Sequence, residues 1–143
     1  MVQMDMLVPA AALVVWSLVA LGWMVVTRFA GMGSIGARLK QSPPGGRGQD
    51  LQGVLPDKTM WKSHNYTHLM EQPTVFYPVV VILALTGASQ LDITLAWIYV
   101  ALRVVHTFWQ NLVNTIPMRV TIFTLSTVVL AILAVRALLA TLG

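Results

Sequence analysis

The sequence predicts an all-α membrane protein built as a four-transmembrane-helix bundle, and three observations carry that prediction. Of its 143 residues, 57% are hydrophobic and 10% are charged, and the mean hydropathy is +0.74. A soluble globular domain of this size is far more polar. The apolar residues gather in four stretches, and a helix of about 20 such residues, rising ~1.5 Å each, crosses a ~30 Å hydrocarbon core. Most of the Lys and Arg residues lie in one connecting segment, which reads as a topology signal rather than a nucleic-acid footprint. A single domain over residues 1–143 accounts for the whole length.

The elements follow in order. The first span covers about residues 7–29. No Lys or Arg precedes its apolar run, so it lacks the positive n-region of a secretory signal and is expected to remain as a membrane helix. A Gly-rich run from Gly31 to Gly36 ends it, and residues 31–58 form a polar loop with Ser42-Pro-Pro-Gly-Gly-Arg-Gly at its centre. The second helix starts between Asp57 and Gln72, outside the hydrocarbon, and its span covers about 72–87. Pro73 is expected to kink it or free a backbone carbonyl. Asp92 is the expected N-cap of a third span over about 93–112. Pro117 ends that helix and opens a fourth span over about 118–142.

Charge in the short loops orients the set. The first loop and its flanks carry Arg28, Arg38, Lys40, Arg47, Lys58 and Lys62, whereas residues 87–91 carry no Lys or Arg. The positive-inside rule then puts the first loop in the cytoplasm and both termini outside. Arg136, near the outer end, is expected to snorkel. Trp16, Trp23, Trp61, Trp97 and Trp109 are expected to act as interfacial anchors and packing.

The polar residues of the apolar spans form a pattern. At ~100° per residue, Arg103, His106 and Gln110 fall within an arc of about 60° on the third span, and Asn114 extends the stripe. On the second helix His64, His68 and Glu71 share a face at similar depth. Ionisable groups at membrane depth are costly and usually face a partner, a cavity or a site. Glu71 is therefore expected to pair with Arg103 or Arg119, in the same chain or a neighbouring one. The structural alternative is a pair that only fixes helix register, with histidines that merely hydrogen-bond a neighbouring helix.

Several chemistries have little support. Without cysteine the chain has no disulfide, no thiolate nucleophile and no thiolate metal site. His64 and His68 have the i, i+4 spacing of a zinc pair with Glu71 nearby, but no HExxH pattern accompanies them, so no metal site is expected. Ser63 beside His64 lacks the elbow of a serine nucleophile. No paired repeats support a proton-coupled transporter using Glu71.

Two segments together carry a resemblance. Asn65-Tyr-Thr-His-Leu-Met-Glu-Gln-Pro-Thr-Val-Phe-Tyr resembles the N-x-x-E-x-P-x-F signature that enters the second helix of the MAPEG superfamily, the membrane-associated proteins in eicosanoid and glutathione metabolism. Ala101-Leu-Arg-Val-Val-His-Thr-Phe-Trp-Gln, followed by Pro117-Met-Arg119, resembles that family's third-helix arginine and histidine and the arginine that opens its fourth helix. The resemblance covers most of the chain from Trp61 onward.

The resemblance implies a left-handed-type four-helix bundle, a homotrimer, and glutathione held between adjacent subunits near the cytoplasmic side. It implies that Glu71, Arg103 and His106 match ligand-binding positions and that Arg119 is the catalytic cation that stabilises a glutathione thiolate. Such a cation lowers a thiol pKa from ~8.5 toward neutrality. His64, His68 and Gln110 complete the candidate ligand-binding set. The chain departs from the glutathione-using members in several places. His64 and Thr67 stand at arginine positions, His68 at the asparagine, Gln110 where a tyrosine is often found, and Val120 and Phe123 at a serine and a tyrosine. These departures remove much of the cationic clamp and resemble an uncharacterised bacterial branch, which implies a multi-pass protein of a bacterial inner membrane. Two functions follow as expectations. One is a glutathione-dependent transferase or peroxidase acting on a lipophilic substrate. The other is a non-catalytic homo-oligomer with a lipid-binding or structural polar interface.

Overall fold

The computed structural model describes residues 2–36 and 44–143. Arg38, Lys40, Ser42 and Pro43, part of the loop reading above, lie outside the described residues. Among the described residues five helices follow one another: α1 (Met4–Met32), α2 (Asp57–Glu71), α3 (Pro73–Thr86), α4 (Gln90–Leu112) and α5 (Ile116–Leu142). The helices α2 and α3 run on as one segment, Asp57–Thr86, so among the described residues four helices are long and apolar enough to cross a membrane. Single 3₁₀ turns at Gly33–Ile35 and Gly48–Leu51 flank the first loop.

Local chemistry sets the helix ends. Gly87 takes φ 107° and closes α3, its amide donating to the Leu83 carbonyl. That left-handed conformation suits a residue without Cβ. Ser89 then caps α4 in an extended conformation and forms a capping box with Asp92, whose carboxylate accepts the Ser89 amide at 2.7 Å. The cap is thus Ser89 and not Asp92, because a carboxylate three residues into the helix can reach back to the cap amide. At the other end of α4, Asn114 adopts φ 58°, and the amides of both Val113 and Asn114 close on the Trp109 carbonyl. Pro117 stands in the first turn of α5, where a missing N–H costs nothing.

The core is a shared apolar seam. Met6, Leu13 and Ala20 of α1 meet Phe76, Val80 and Leu83 of α3, Ala96, Tyr99 and Val100 of α4, and Leu130, Leu133 and Ala137 of α5. Phe76 stacks on Tyr99 with ring centroids 4.4 Å apart. The buried residues of α1 recur at positions 6, 9, 13, 17 and 20, a narrow stripe at helical period. Val15, Leu18, Val26 and Phe29 remain exposed on its other side, as lipid-facing residues of a membrane helix do.

Polar contacts tie the ends together. Gln3 donates its amide to the Ala84 carbonyl at 3.0 Å, bolting the start of α1 to the end of α3. Arg28 donates to Ser63 Oγ at 2.9 Å and to the Gly48 carbonyl at 3.2 Å. A Cβ at Gly48 would stand 2.7 Å from Arg28 Nη1, so a larger residue there would make the flexible guanidinium shift. Arg136 forms an ion pair with Asp92 and donates to Ser89 Oγ at 2.9 Å, because the capping box leaves a buried carboxylate one helix away that needs a cation.

Candidate functional site

Pro73 lacks an amide hydrogen and cannot continue the α2 ladder. The chain turns at Gln72 and starts α3 with Pro73 in its first turn. Thr74 Oγ1 donates to the Glu71 carbonyl, and the Val75 amide closes on the Gln72 carbonyl at 3.0 Å. The backbone at the end of α2 faces α4, and there the most buried charge among the described residues meets it.

Arg103 is 0% exposed. Its Nη2 donates to the His68 carbonyl at 2.8 Å, its Nη1 lies 3.5 Å from Gln72 Oε1, and its guanidinium carbon sits 6.0 Å from the Phe123 ring centroid. A helix C-terminus presents carbonyls and partial negative charge, so a cation is at home there. Gln72 is the junction of this network. Its Oε1 also accepts from Tyr99 Oη at 3.2 Å and Ser126 Oγ at 3.3 Å, while its Nε2 donates to Thr127 Oγ1 at 2.7 Å. One side chain at the helix break thereby joins α4 and α5. Its role was not read from the sequence, although a glutamine before Pro73 in an apolar segment was the available signal.

The expected pairing of Glu71 with Arg103 or Arg119 does not form within the chain. Glu71 is exposed, and its Oε2 lies 3.3 Å from His68 Nδ1, one turn back on the same helix. Arg103 instead has Gln72 and a carbonyl. Arg119, half-buried at the start of α5, donates to Asn114 Oδ1 at 2.8 Å. Among the described residues the two ion pairs are His68–Glu71 and Asp92–Arg136. Helical period gave the relative angles of His64, His68 and Glu71 but not which side meets the core. The residues α2 buries are Met60, Lys62, Asn65 and Leu69, so the histidine and glutamate row lies along the edge of that buried face.

The third-span stripe is different. Arg103, His106 and Gln110 are all buried, joined by Thr107 and Asn111 on the same helix, whereas Asn114 lies beyond the helix end and is half-buried. His106 and His68 meet edge to face at 6.1 Å, and Phe123 packs on both rings at 6.1 and 6.3 Å. Trp16 is not only an anchor. It donates to Thr107 Oγ1 at 3.3 Å and, with Trp23, packs around Phe108.

The arrangement has an inner and an outer layer. The inner layer is Arg103 with Gln72, Tyr99 and Ser126, held inside the bundle. The outer layer is His68, Glu71 and Arg119, in which His68 and Glu71 keep 38% and 61% of their side-chain surface open and Arg119 stands one turn before Phe123. Among the described residues no three His, Asp or Glu side chains are grouped to hold a metal ion. A family model described as MAPEG family matches residues 6–139. No curated protein and no solved structure matches the chain.

Proposed function

The chain belongs to the MAPEG family, and from that premise we propose that it is a homotrimeric multi-pass protein of a bacterial inner membrane whose ligand site lies between copies. The first loop faces the cytoplasm, and the ligand is glutathione, presented to a lipophilic electrophile or peroxide. The observation that carries this reading is the direction of the outer layer. Glu71 is an open carboxylate on the wall of a segment long and apolar enough to span, and a charge in that setting needs a partner from outside the protomer. A neighbouring copy and a ligand with an ammonium group supply one.

Roles follow from exposure and charge. His64, His68 and Glu71 contact the ligand, and Arg119 stabilises the thiolate because a nearby cation favours S⁻ over SH. Arg103, His106 and Gln110 form the inner wall, with Arg103 positioning the end of α2 rather than reaching the ligand. The test is isothermal titration of the detergent-purified protein with glutathione, together with conjugation of a chloronitroaromatic electrophile. Millimolar or tighter binding, with conjugation lost in Arg119→Ala, is expected. No heat at millimolar glutathione overturns the thiol-transfer reading.

A second reading is favoured by Phe123. Its ring packs on His68, His106 and Arg103, filling the middle of the polar cluster with an apolar face. In that reading the interface is non-catalytic and holds a lipid or locks the oligomer.

A further inference from the structure

Among the described residues, five buried side chains of α2 and α4 carry polar atoms without a hydrogen-bond partner. They are Asn65 Nδ2 and Oδ1, Asn111 Nδ2 and Oδ1, Gln110 Oε1, His106 Nδ1 and Arg103 Nε. Each of these residues is at most 2% exposed. Buried polar groups are nearly always hydrogen-bonded, and leaving one unmade costs about 1–3 kcal/mol. Five such side chains in one part of a helical bundle therefore mark a place that something else completes.

Register brings Asn65, Gln110 and Asn111 to one side of His106, with Arg103 three residues, about 4.5 Å, to its other side. The contacts of Arg103 with His68 and Gln72, and of His106 with His68, pair rising numbers on α4 with falling numbers on α2, so the two helices are antiparallel. From the His68–His106 contact, Asn65 lies three residues back, about 4.5 Å, and Gln110 lies four residues on, about 6 Å, in the same direction. Asn111 is one residue further. The third wall is α1, whose Trp16 meets Thr107 and whose Trp23 lies 6.0 Å from Lys62 Nζ.

The chemistry of the set selects its guest. At that level two carboxamide nitrogens offer donors and three amide oxygens offer acceptors, while the imidazole nitrogen of His106 serves as either. Among the described residues no carboxylate is hydrogen-bonded to them to hold a cation, and acceptor atoms at least as numerous as donor atoms disfavour an anion. The balance suits a small neutral molecule that both donates and accepts. Water is the smallest of these, and one buried water typically makes about 3 hydrogen bonds.

We propose that the space between α1, α2 and α4 at the level of Asn65, Gln110 and Asn111 is an internal solvent site, holding a small cluster of long-lived water inside each protomer and reaching His106. It lies within one chain and does not depend on a ligand between copies. It keeps an imidazole covered by protein in hydrogen-bonded contact with solvent.

The test is water-to-amide cross-relaxation in the ¹⁵N-labelled full-length protein in micelles, observed at the side-chain carboxamides of Asn65 and Asn111. Cross-peaks with the sign of slowly exchanging bound water are expected at both. Cross-peaks running between the two carboxamides, or none to water at either, overturn the proposal on the wild-type protein alone. In Asn65→Leu, a protein whose remaining spectrum is native, the water cross-peak at Asn111 is expected to weaken severalfold. An unchanged Asn111 peak there means that the two residues do not share one site.

Discussion

Arg103 Nη2 donates to the backbone carbonyl of His68 at 2.8 Å, so a guanidinium from α4 finishes the end of a helix that Pro73 interrupts. This relation explains how a fully buried arginine is held without a carboxylate. The partial charge of a helix C-terminus and the oxygen of Gln72 take the place of a counter-ion.

Replacing Arg103 with Leu is expected to strip the His68 carbonyl and Gln72 of their charged donor and destabilise the bundle by about 2–3 kcal/mol. Arg103→Lys keeps the charge but cannot fork to two acceptors, and it is expected to recover only part of that loss. Reversible unfolding of the detergent-solubilised protein with increasing dodecyl sulfate measures both.

Gln72→Leu removes the acceptor shared by Tyr99, Arg103 and Ser126 and the donor to Thr127. The expected cost is about 1–3 kcal/mol by the same unfolding measurement. Gln72→Glu keeps the acceptor, loses the Thr127 bond and sets a carboxylate beside Arg103, and it is expected to be milder than Gln72→Leu.

Asp92 and Arg136 join the head of α4 to α5. Asp92→Ala leaves an unpaired guanidinium and Arg136→Ala leaves a buried carboxylate. The double variant removes both, so its loss of thermal stability is expected to be smaller than the sum of the single losses. Additive losses in the double-mutant cycle contradict a coupled pair.

Glu71→Gln changes an exposed side chain whose ion pair is with His68 across one turn, and the unfolding free energy is expected to stay within about 0.5 kcal/mol of the parent. Its effect belongs to the level above the protomer. If Glu71 locks copies together, native mass spectrometry shows smaller assemblies; if it contacts ligand, the mass is unchanged and glutathione affinity falls.

Much of the architecture was legible from hydropathy and period. Long apolar runs leave a membrane chain few options besides helices, and Gly87 and Pro117 punctuate those helices in the structure. The burial of Arg103, His106 and Gln110 follows from three polar residues sharing one face of an apolar helix. What escaped was long-range pairing. Glu71 was expected to seek an arginine because opposite charges attract, but a carbonyl at a helix break and a neutral amide from Gln72 satisfied Arg103 first. Asp92 was read as a cap from its local position alone, and nothing within ten residues of it signals Arg136. The burial of Asn65 also escaped, because the spacing of His64, His68 and Glu71 has no origin until the neighbouring helices are in place.

The Asp92–Arg136 pair also bears on biogenesis. The two residues are 44 positions apart, and Gln72 waits 55 positions for Thr127. During synthesis α4 emerges with its acid, and α2 with its glutamine, before α5 exists to receive either. The contacts with Arg136 and Thr127 therefore form only once α5 is in place. Until then Asp92 keeps Ser89 and Gln72 keeps Tyr99 and Arg103 as partners, so the last helix completes polar networks that the earlier ones begin.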